Sequence, residues 1–207
     1  MKRDLLKGIV SVYYATLPSN IGDLKNFNSL RSREIDLCTN AKLKLQKYQV
    51  WQLLTYAVKD VFGIDANQMD FFKSNDGKWR CDLCEFSLSH SGLVVAVALS
   101  SGLVGVDVQK ARSTTQKLAQ RILTPDQMAQ YQTLSSTEQQ KYLISNWSKR
   151  ESIFKAVGGS LLSKQLLDTS LFTATKTFEY FGDEYILTVA YDGNKKIEFN
   201  DCINKQI

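Results

Sequence analysis

The pattern of apolar positions predicts a strand and then a long helical region in the first third of the chain. Residues Ile9–Leu17 are rich in β-branched and aromatic side chains, which is typical of a strand. From about Asn28 to Phe62 the pattern is helical, and apolar residues from Val50 onward recur three and four positions apart. Gly63 then provides a suitable helix end, because glycine readily adopts the left-handed conformation found there.

The middle of the chain predicts short strands joined by turns. Asn75-Asp-Gly-Lys78 has the composition of a turn, and Phe86–Ser89 has that of a strand. The apolar segments Val94–Leu99 and Leu103–Val108 are separated only by Ser100-Ser-Gly102. This short connection predicts that the two segments pair as a hairpin.

The second half predicts helices with clear start signals, followed by a group of strands. Thr124-Pro-Asp-Gln127 places Thr at the N-cap, Pro in the first turn and Gln three residues later. Ser135 and Glu138 repeat this spacing before a helix that should run to about Val157 and end at Gly158-Gly159. Three strands are predicted to close the chain, at Thr177–Phe181, Tyr185–Tyr191 and Lys195–Phe199.

The order of these elements predicts an α+β fold. Each half of the 207-residue chain supplies strands and at least one long helix, and no low-complexity linker separates the halves. We therefore expect two similar α/β lobes in a single chain, an N-terminal lobe of residues 1–101 and a C-terminal lobe of residues 102–207.

Composition and charge narrow the class of protein. Hydrophobic residues make up 43% and charged residues 23%, which excludes a disordered or fibrous chain. The net charge of +5 mildly favours anionic partners but is too small to indicate nucleic acid by itself. Because the chain has a single histidine, a metal site built from several histidines is excluded.

The cysteines and the N-terminus indicate where the protein works. The four cysteines are Cys38, Cys81, Cys84 and Cys202. Cys81 and Cys84 are closely spaced, in a segment that resembles a strand more than a redox turn. We expect reduced, structural thiols and a cytoplasmic location. Asp4 and Lys7 interrupt any signal-peptide core, and no run of 18 apolar residues predicts a membrane span.

Two segments carry acidic residues that could take part in chemistry. Trp147, Glu151 and Lys155 are four positions apart and share one side of the predicted helix. From this spacing alone, Glu151 and Lys155 are more often an ordinary solvated ion pair than part of a functional site. Asp107 lies between two valines of a predicted strand and should point to the opposite face. It is either an exposed edge residue or a ligand for a hard cation such as Mg²⁺.

The single histidine has three interpretations. His90 is surrounded by serines in the segment Ser87-Leu-Ser-His-Ser-Gly92. A hydrolase base is one interpretation, although the chain has no Gly-x-Ser-x-Gly elbow. A phosphate contact made together with the neighbouring hydroxyls fits the segment equally well, and an isolated histidine of this kind more often has a structural role.

Together these segments resemble the Sfp-type 4′-phosphopantetheinyl transferases. That family has a glycine–hydrophobic–Asp strand, followed further along the chain by a helix with the pattern Trp-x-x-Lys-Glu-(Ala/Ser)-x-x-Lys. Here the pair stands as Val104-Gly-Val-Asp-Val-Gln109 and Trp147-Ser-Lys-Arg-Glu-Ser-Ile-Phe-Lys155. Phe86-Ser-Leu-Ser-His-Ser-Gly92 resembles the family's Phe-Asn-x-Ser-His-Ser segment, and Asn75-Asp-Gly-Lys-Trp79 resembles its Gly-Lys-Pro turn. The resemblance covers roughly residues 30–165.

The resemblance implies a fold, a reaction and partners. The chain would adopt the fold of this family, in which two similar lobes are related by a pseudo-twofold axis. The protein would be a monomer. The enzyme would transfer the 4′-phosphopantetheine group of coenzyme A to a serine of an apo acyl or peptidyl carrier protein, with Mg²⁺, and release 3′,5′-ADP. The carrier would serve fatty-acid, polyketide or nonribosomal-peptide synthesis, and neither nucleic acid nor a membrane is implied as a partner.

The resemblance also implies roles for particular residues. Asp107 and Glu151 would hold Mg²⁺, and Glu151 would accept the serine proton directly or through water. Lys155 would be the cation on the phosphates. The residues implied in coenzyme A binding, besides Lys155, are Lys78, Ser89, His90, Arg33 and Lys47. We expect the carrier to dock on the surface from Val108 to Arg121.

Two residues depart from the family pattern. The family commonly has an acid two residues after the strand Asp, and Gln109 stands there. Gln109 would complete the metal set with Asp107 and Glu151 through its carbonyl oxygen but adds no charge, so we expect weaker Mg²⁺ binding, with Mn²⁺ as an alternative. Arg150 replaces a lysine, which keeps the charge but presents a planar fork.

The change at Gln109 motivates an alternative function. The chain would then be a non-catalytic relative that binds coenzyme A or a carrier protein without turnover. A Ser/His hydrolase that uses His90 is a third hypothesis.

Overall fold

Two β-sheets face each other in this protein, and a long helix covers the outer face of each. The computed structural model describes residues 5–25, 27–75, 77–112, 116–158, 161, 170–205 and 207. The predicted roles of Asp76 in the turn, of Gly159 at the helix end and of residues 113–115 in the docking surface lie outside the described residues.

Both halves of the chain contain strands and helices. Those of the first half are β1 (Ile9–Thr16), α1 (Ser29–Asp36), α2 (Ala41–Phe62), β2 (Phe71–Lys73), β3 (Trp79–Cys81), β4 (Glu85–Ser91) and β5 (Val94–Ser100). Those of the second half are β6 (Val104–Lys110), α3 (Gln116–Ile122), α4 (Pro125–Gln132), α5 (Ser136–Val157), β7 (Phe172–Tyr180), β8 (Asp183–Tyr191) and β9 (Lys196–Asp201). The mixed α+β class predicted from the sequence is therefore correct.

The first sheet has the strand order β4-β5-β1-β9, and the second has the order β6-β8-β7. β2 and β3 form a separate two-stranded pair. The last strand, β9, returns to the first sheet and pairs parallel with β1, with Ile9 opposite Lys196. The division into lobes of residues 1–101 and 102–207 stays a prediction, as does the pseudo-twofold relation between them.

The predicted hairpin between Val94–Leu99 and Leu103–Val108 is wrong. β5 lies inside the first sheet, where it pairs with β1 on one side and β4 on the other. It therefore has no free edge for β6, which pairs with β8 in the second sheet instead. The Ser100-Ser-Gly102 connection carries the chain from one sheet to the other.

The core fills the space between the sheets and under each helix. Between the sheets, Val10 and Val12 of β1 pack in one cluster with Val104, Val106 and Val108 of β6. α2 covers the other face of the first sheet with a larger apolar cluster. α5 lies on the other face of the second sheet, and the site described below lies where this helix meets β6.

Most predicted helix boundaries hold. Thr124 and Gln127 form the predicted capping box at the start of α4, and Gly63 ends α2 in the left-handed conformation with a φ of 65°. The single helical region predicted from Asn28 to Phe62 is instead two helices, because Asn40 caps a new start by accepting a hydrogen bond from the Leu43 N–H. Among the described residues, no helix combines the length and apolar character needed to cross a membrane.

Candidate active site

A glycine in β6 allows α5 to pack directly against the strand. Val104, Val106 and Val108 face the core between the sheets, so Gly105, Asp107 and Gln109 face α5. A Cβ atom at Gly105 would lie 1.9 Å from the Ser152 carbonyl oxygen and 2.5 Å from the Ala156 nitrogen. Only glycine fits this close approach, which brings the side chains of α5 onto Asp107.

Asp107 is the centre of a buried polar cluster. Its side chain is only 2% exposed, and Lys155 of α5 donates to its Oδ1 atom at 2.8 Å. The Ser89 hydroxyl donates to the same oxygen at 3.0 Å, and Gln109 Nε2 donates to Oδ2 at 3.0 Å. A carboxylate this deeply buried is stable only because these donors and the Lys155 charge compensate its desolvation.

Glu151 lies one helical turn before Lys155 and is half-buried. Burial raises the pKa of its carboxyl above the ordinary value; the Lys155 charge opposes this effect, and the Asp107 charge adds to it. The described part of the chain supplies no hydrogen bond or ion pair to the Glu151 carboxylate. Glu151 is therefore a carboxylate held close to a second carboxylate and available for a ligand.

The donor set of this cluster fits a small divalent cation. Two carboxylates and one side-chain amide, those of Asp107, Glu151 and Gln109, approach the junction of β6 and α5. Mg²⁺ in proteins typically takes one or two carboxylates and fills its other positions with water and phosphate oxygens. Burial and, to a smaller extent, the Asp107 charge raise the pKa of Glu151, and a divalent cation bound to its carboxylate would oppose both effects. No group of three or more His, Cys, Asp or Glu side chains suited to a metal occurs within the described ranges.

A row of serines joins the two sheets beside this cluster. The backbone N–H groups of Val106, Val108 and Lys110 donate to the hydroxyls of Ser87, Ser89 and Ser91 at 3.0–3.1 Å. These three serines of β4, the serine ladder, link the edge strand of the first sheet to that of the second. Ser89 also accepts from Lys155 at 2.9 Å, so it positions β6, Asp107 and Lys155 together.

Ser89 therefore has a different setting from the one expected. Its hydroxyl donates one hydrogen bond and accepts two, which uses its full capacity, and the residue is only 4% exposed. Its predicted contact with coenzyme A stays a prediction, and the structure gives it a structural role at the centre of the cluster.

His90 lies at the exposed end of the same strand. The protein around His90 displaces part of the water that would stabilise its charged form and so lowers the pKa of the imidazole, and the charges of Lys155 and Arg31 lower it further. These two cations are thus close enough to act on His90. A cationic surrounding around a histidine is a suitable place for an anionic group such as phosphate.

Arg31 of α1 is a cation that sequence reasoning missed. Its guanidinium is buried at 5% exposure, donates to the Lys47 carbonyl at 2.5 Å and lies 5.2 Å from the Trp51 ring centroid. Its Nε atom is buried without a hydrogen-bond partner among the described residues. The predicted Arg33 is exposed at the end of α1 instead, and Lys47 is half-buried. Arg31 shares a helix face with the buried Ile35, and this four-residue spacing was the available signal.

A cleft of about 620 Å³ opens beside Lys155. Three cations line it, Lys78, Arg80 and Lys155, together with apolar side chains that include Phe86 and Phe154. The Lys78 ammonium donates to the Lys155 carbonyl at 2.9 Å, which ties the turn before β3 to the last part of α5. The cleft therefore presents both cations and apolar surface to a ligand.

Arg150 faces away from this cleft. It is 3% exposed, and its Nε atom donates to the Ile122 carbonyl at the end of α3 at 2.9 Å. The guanidinium therefore holds α3 against α5. The replacement of the family's lysine by Arg150 thus affects the packing of these two helices and not the cleft.

Paired carboxylates and nearby cations beside a cleft are the kind of groups that can hold a divalent metal and a phosphate-rich ligand. The comparisons with known proteins identify the family of the chain. The family model of the 4′-phosphopantetheinyl transferase superfamily matches residues 103–191, which include Asp107, Glu151 and Lys155.

Curated relatives carry related names. The chain is 28% identical over 112 residues to a 4′-phosphopantetheinyl transferase of Bacillus subtilis, a match that covers 53% of this chain and 50% of that protein. It is 30% identical over 113 residues to the 4′-phosphopantetheinyl transferase Sfp of the same species, with 53% and 50% covered. It is 30% identical over 96 residues to a holo-(acyl-carrier-protein) synthase of Streptococcus suis, with 44% of this chain and 76% of that protein covered. The chain spans about half the length of the first two relatives. The chain belongs to the 4′-phosphopantetheinyl transferase superfamily.

Proposed function

We propose that this protein transfers the 4′-phosphopantetheine group of coenzyme A to a serine of an apo carrier protein. The observation that carries the proposal is the meeting of Asp107, Glu151 and Lys155 at the junction of β6 and α5, beside a cleft with further cations. Phosphoryl transfer needs this combination, because charge develops on the phosphates while an oxygen nucleophile loses its proton. The names of the curated relatives support the same reaction.

In this proposal the serine hydroxyl of the carrier attacks the β-phosphorus of the coenzyme A pyrophosphate. A new phosphorus–oxygen bond forms to the serine, the bond to the bridging oxygen breaks, and 3′,5′-ADP leaves. Asp107, Glu151 and Gln109 would hold a Mg²⁺ or Mn²⁺ ion, which neutralises the charge that develops on the pyrophosphate. Lys155 adds a positive charge at the same phosphates.

Glu151 is the group that accepts the serine proton in this proposal. Burial raises the pKa of its carboxyl, which makes the carboxylate a better base than an exposed glutamate. Asp107 is a poorer candidate, because both of its oxygens already accept hydrogen bonds and one accepts an ion pair. The proton passes to Glu151 directly or through one water molecule.

The cations of the site would orient coenzyme A. The exposed His90, in the field of the Lys155 and Arg31 charges, offers one phosphate site at the end of β4, and Lys155 with Lys78 offers another at the cleft. The alternating residues Phe86, Leu88 and His90 of β4 connect the two places along one strand face. This separation suits a ligand with a terminal phosphate at one end and a pyrophosphate further along.

The carrier protein would dock beside the metal site. The described part of the Val108–Arg121 segment carries the exposed cations Lys117 and Arg121, which suit an acidic partner. We propose that the protein works as a two-lobed cytoplasmic monomer with a fatty-acid, polyketide or nonribosomal-peptide carrier.

A non-catalytic relative that binds coenzyme A or a carrier is the second candidate function. The observation in its favour is that Gln109 donates its amide to Asp107 where the family commonly has an acid. Such a protein would bind its ligands through the same cations without turnover.

The test is incubation with coenzyme A, Mg²⁺ and an apo carrier protein, followed by intact mass measurement. We expect the carrier to gain one phosphopantetheine group. Several carriers of different pathways should be tried, and coenzyme A binding without added mass on any of them would favour the non-catalytic relative.

Replacing Glu151 by glutamine tests the proposed base. Glu151→Gln should lower transfer by at least about a hundredfold, because both the base and one metal ligand are lost. Glu179→Gln, on the exposed side of β7, makes the same chemical change outside the site and should transfer at the normal rate. Normal transfer by Glu151→Gln would remove Glu151 from the mechanism.

A further inference from the structure

Both oxygens of the Asp107 carboxylate are engaged by the protein's own groups. Oδ1 accepts from Lys155 Nζ at 2.8 Å and from the Ser89 hydroxyl at 3.0 Å, and Oδ2 accepts from Gln109 Nε2 at 3.0 Å. Ser89 and Gln109 are neutral, so Lys155 is the charge that compensates this carboxylate. A metal ion that approaches Asp107 would meet the Lys155 ammonium on one of the two carboxylate oxygens.

Asp107 cannot easily lose its counter-ion. It is 2% exposed, and a buried carboxylate without a compensating charge is strongly unfavourable. A second cation on the same carboxylate would be repelled by the Lys155 ammonium at short range in a poorly screened environment. Without another ligand, the site therefore favours Lys155 over a divalent metal.

Lys155 can leave Asp107 while its backbone stays in place. Its side chain is 26% exposed and lines the cleft, and its stem of four methylene groups turns freely about single bonds. The α5 backbone is fixed at this point by the close contact with Gly105 and by the Lys78 hydrogen bond to the Lys155 carbonyl. A phosphate in the cleft can thus draw the ammonium away by a side-chain rotation alone.

We propose that Lys155 is an internal counter-ion that closes the Asp107 site to metal until a phosphate ligand draws it away. This inference rests on the proposed function, since it takes coenzyme A as the phosphate ligand. Divalent metal and coenzyme A then bind with positive coupling. The coupling is reciprocal, so the metal tightens coenzyme A binding by the same factor.

The decisive measurement is metal binding to the protein without coenzyme A or a carrier. Mn²⁺ binding is followed by electron paramagnetic resonance on the full chain and on two variants, Lys155→Met and Lys155→Arg. We expect Lys155→Met to bind Mn²⁺ about tenfold more tightly than the unchanged protein, because Asp107 is released and a positive charge is removed. Lys155→Arg keeps the charge and should bind as weakly as the unchanged protein.

A charge-matched variant separates the local effect from a general one. Arg80→Met removes one positive charge from the same cleft, where Arg80 pairs with Glu85, and leaves the contacts of Lys155 with Asp107 and Lys78 in place. We expect its Mn²⁺ affinity to change by less than about threefold, as for a charge that is not in contact with the carboxylate. Equal gains in Arg80→Met and Lys155→Met would overturn the proposal.

The second measurement repeats the titrations with saturating coenzyme A. Phosphate oxygens of coenzyme A can ligate the metal in every variant, so some coupling remains in all of them. The contribution of Lys155 is the difference between the coupling factors of the unchanged protein and of Lys155→Met. We expect the factor by which coenzyme A tightens Mn²⁺ binding to be about tenfold smaller in Lys155→Met. A coupling factor equal to that of the unchanged protein would contradict the proposal.

Thermal unfolding shows whether each variant is folded. Lys155→Met leaves Asp107 without its ion pair, so it should unfold at a lower temperature, and Mn²⁺ alone should restore part of the loss. If Lys155→Met does not fold, Lys155→Gln keeps a donor for Asp107 without the charge and takes its place in both titrations. Coenzyme A that fails to bind would refute the proposed function, while the titration without coenzyme A would still decide the role of Lys155.

Discussion

Replacing Gly105 by alanine would place a methyl group inside the backbone of α5. The added Cβ would lie 1.9 Å from the Ser152 carbonyl oxygen, about 1.5 Å closer than an ordinary contact between such atoms. The atoms that it meets belong to a helix backbone and cannot rotate away as a side chain would. α5 must therefore withdraw from β6 by about this distance, or the strand must bend.

The withdrawal has two measurable consequences. Overpacking of this kind destabilises a fold by about 1–3 kcal/mol, and we expect the upper part of this range because backbone atoms are involved. The Lys155–Asp107 ion pair, now 2.8 Å long, would open, and Glu151 would move with the same helix. A displacement of about 1 Å between reacting groups lowers a rate by about a hundredfold.

Denaturant unfolding gives the free energy of unfolding, and intact mass of the carrier gives the transfer rate. Gly182→Ala is the matched control: its Cβ meets no atom within 4 Å, and its only penalty is the φ of 74°. That penalty is about 1 kcal/mol, without an effect on transfer. Wild-type stability and transfer in Gly105→Ala would refute the close contact, and a stability loss with normal transfer would refute its role in placing α5.

Two further predictions concern the metal set and the single histidine. Gln109→Glu should lower the Mg²⁺ concentration needed for transfer, because a third carboxylate faces Asp107; an unchanged metal dependence would mean that Gln109 does not reach the metal. His90 should give one imidazole resonance, since the chain has one histidine, with a pKa below the ordinary 6.5 that rises when coenzyme A binds. Because the folded protein resists protonation of His90, the free energy of unfolding should fall as the pH drops from 6.5 through the lowered pKa. Lys155→Met should move this pKa upward, and a pKa unaffected by both coenzyme A and Lys155→Met would place His90 outside the phosphate site.

The sequence was most informative where the signal was local. The capping box of Thr124 and Gln127 and the left-handed end at Gly63 depend on neighbouring residues alone, and both were predicted correctly. The connection after Ser100 was predicted wrongly, because two adjacent apolar segments do not reveal that β5 is already paired on both sides. Sheet membership depends on partners far away in the chain.

The candidate site shows the same limit. Resemblance led to Asp107, Glu151 and Lys155, and the structure brings these three residues together. It did not predict that Ser89 uses all its hydrogen bonds within the protein, or that Arg31 faces inward instead of Arg33. Both depend on which face of an element meets a neighbour, and a single sequence shows this only through weak spacing signals.

The serine ladder determines how the two sheets are aligned. Hydroxyls at every second residue of β4 match N–H groups at every second residue of β6, so a shift by one residue would bring Phe86, Leu88 and His90 against those amides. The sheets thus share a fixed register without a backbone-to-backbone hydrogen bond at these amides. Since a hydroxyl can rotate and exchange its partner for water, the amide protons of Val106, Val108 and Lys110 should exchange with deuterium faster than the β6 amides that pair with β8. The seam between the sheets would then open before either sheet unfolds.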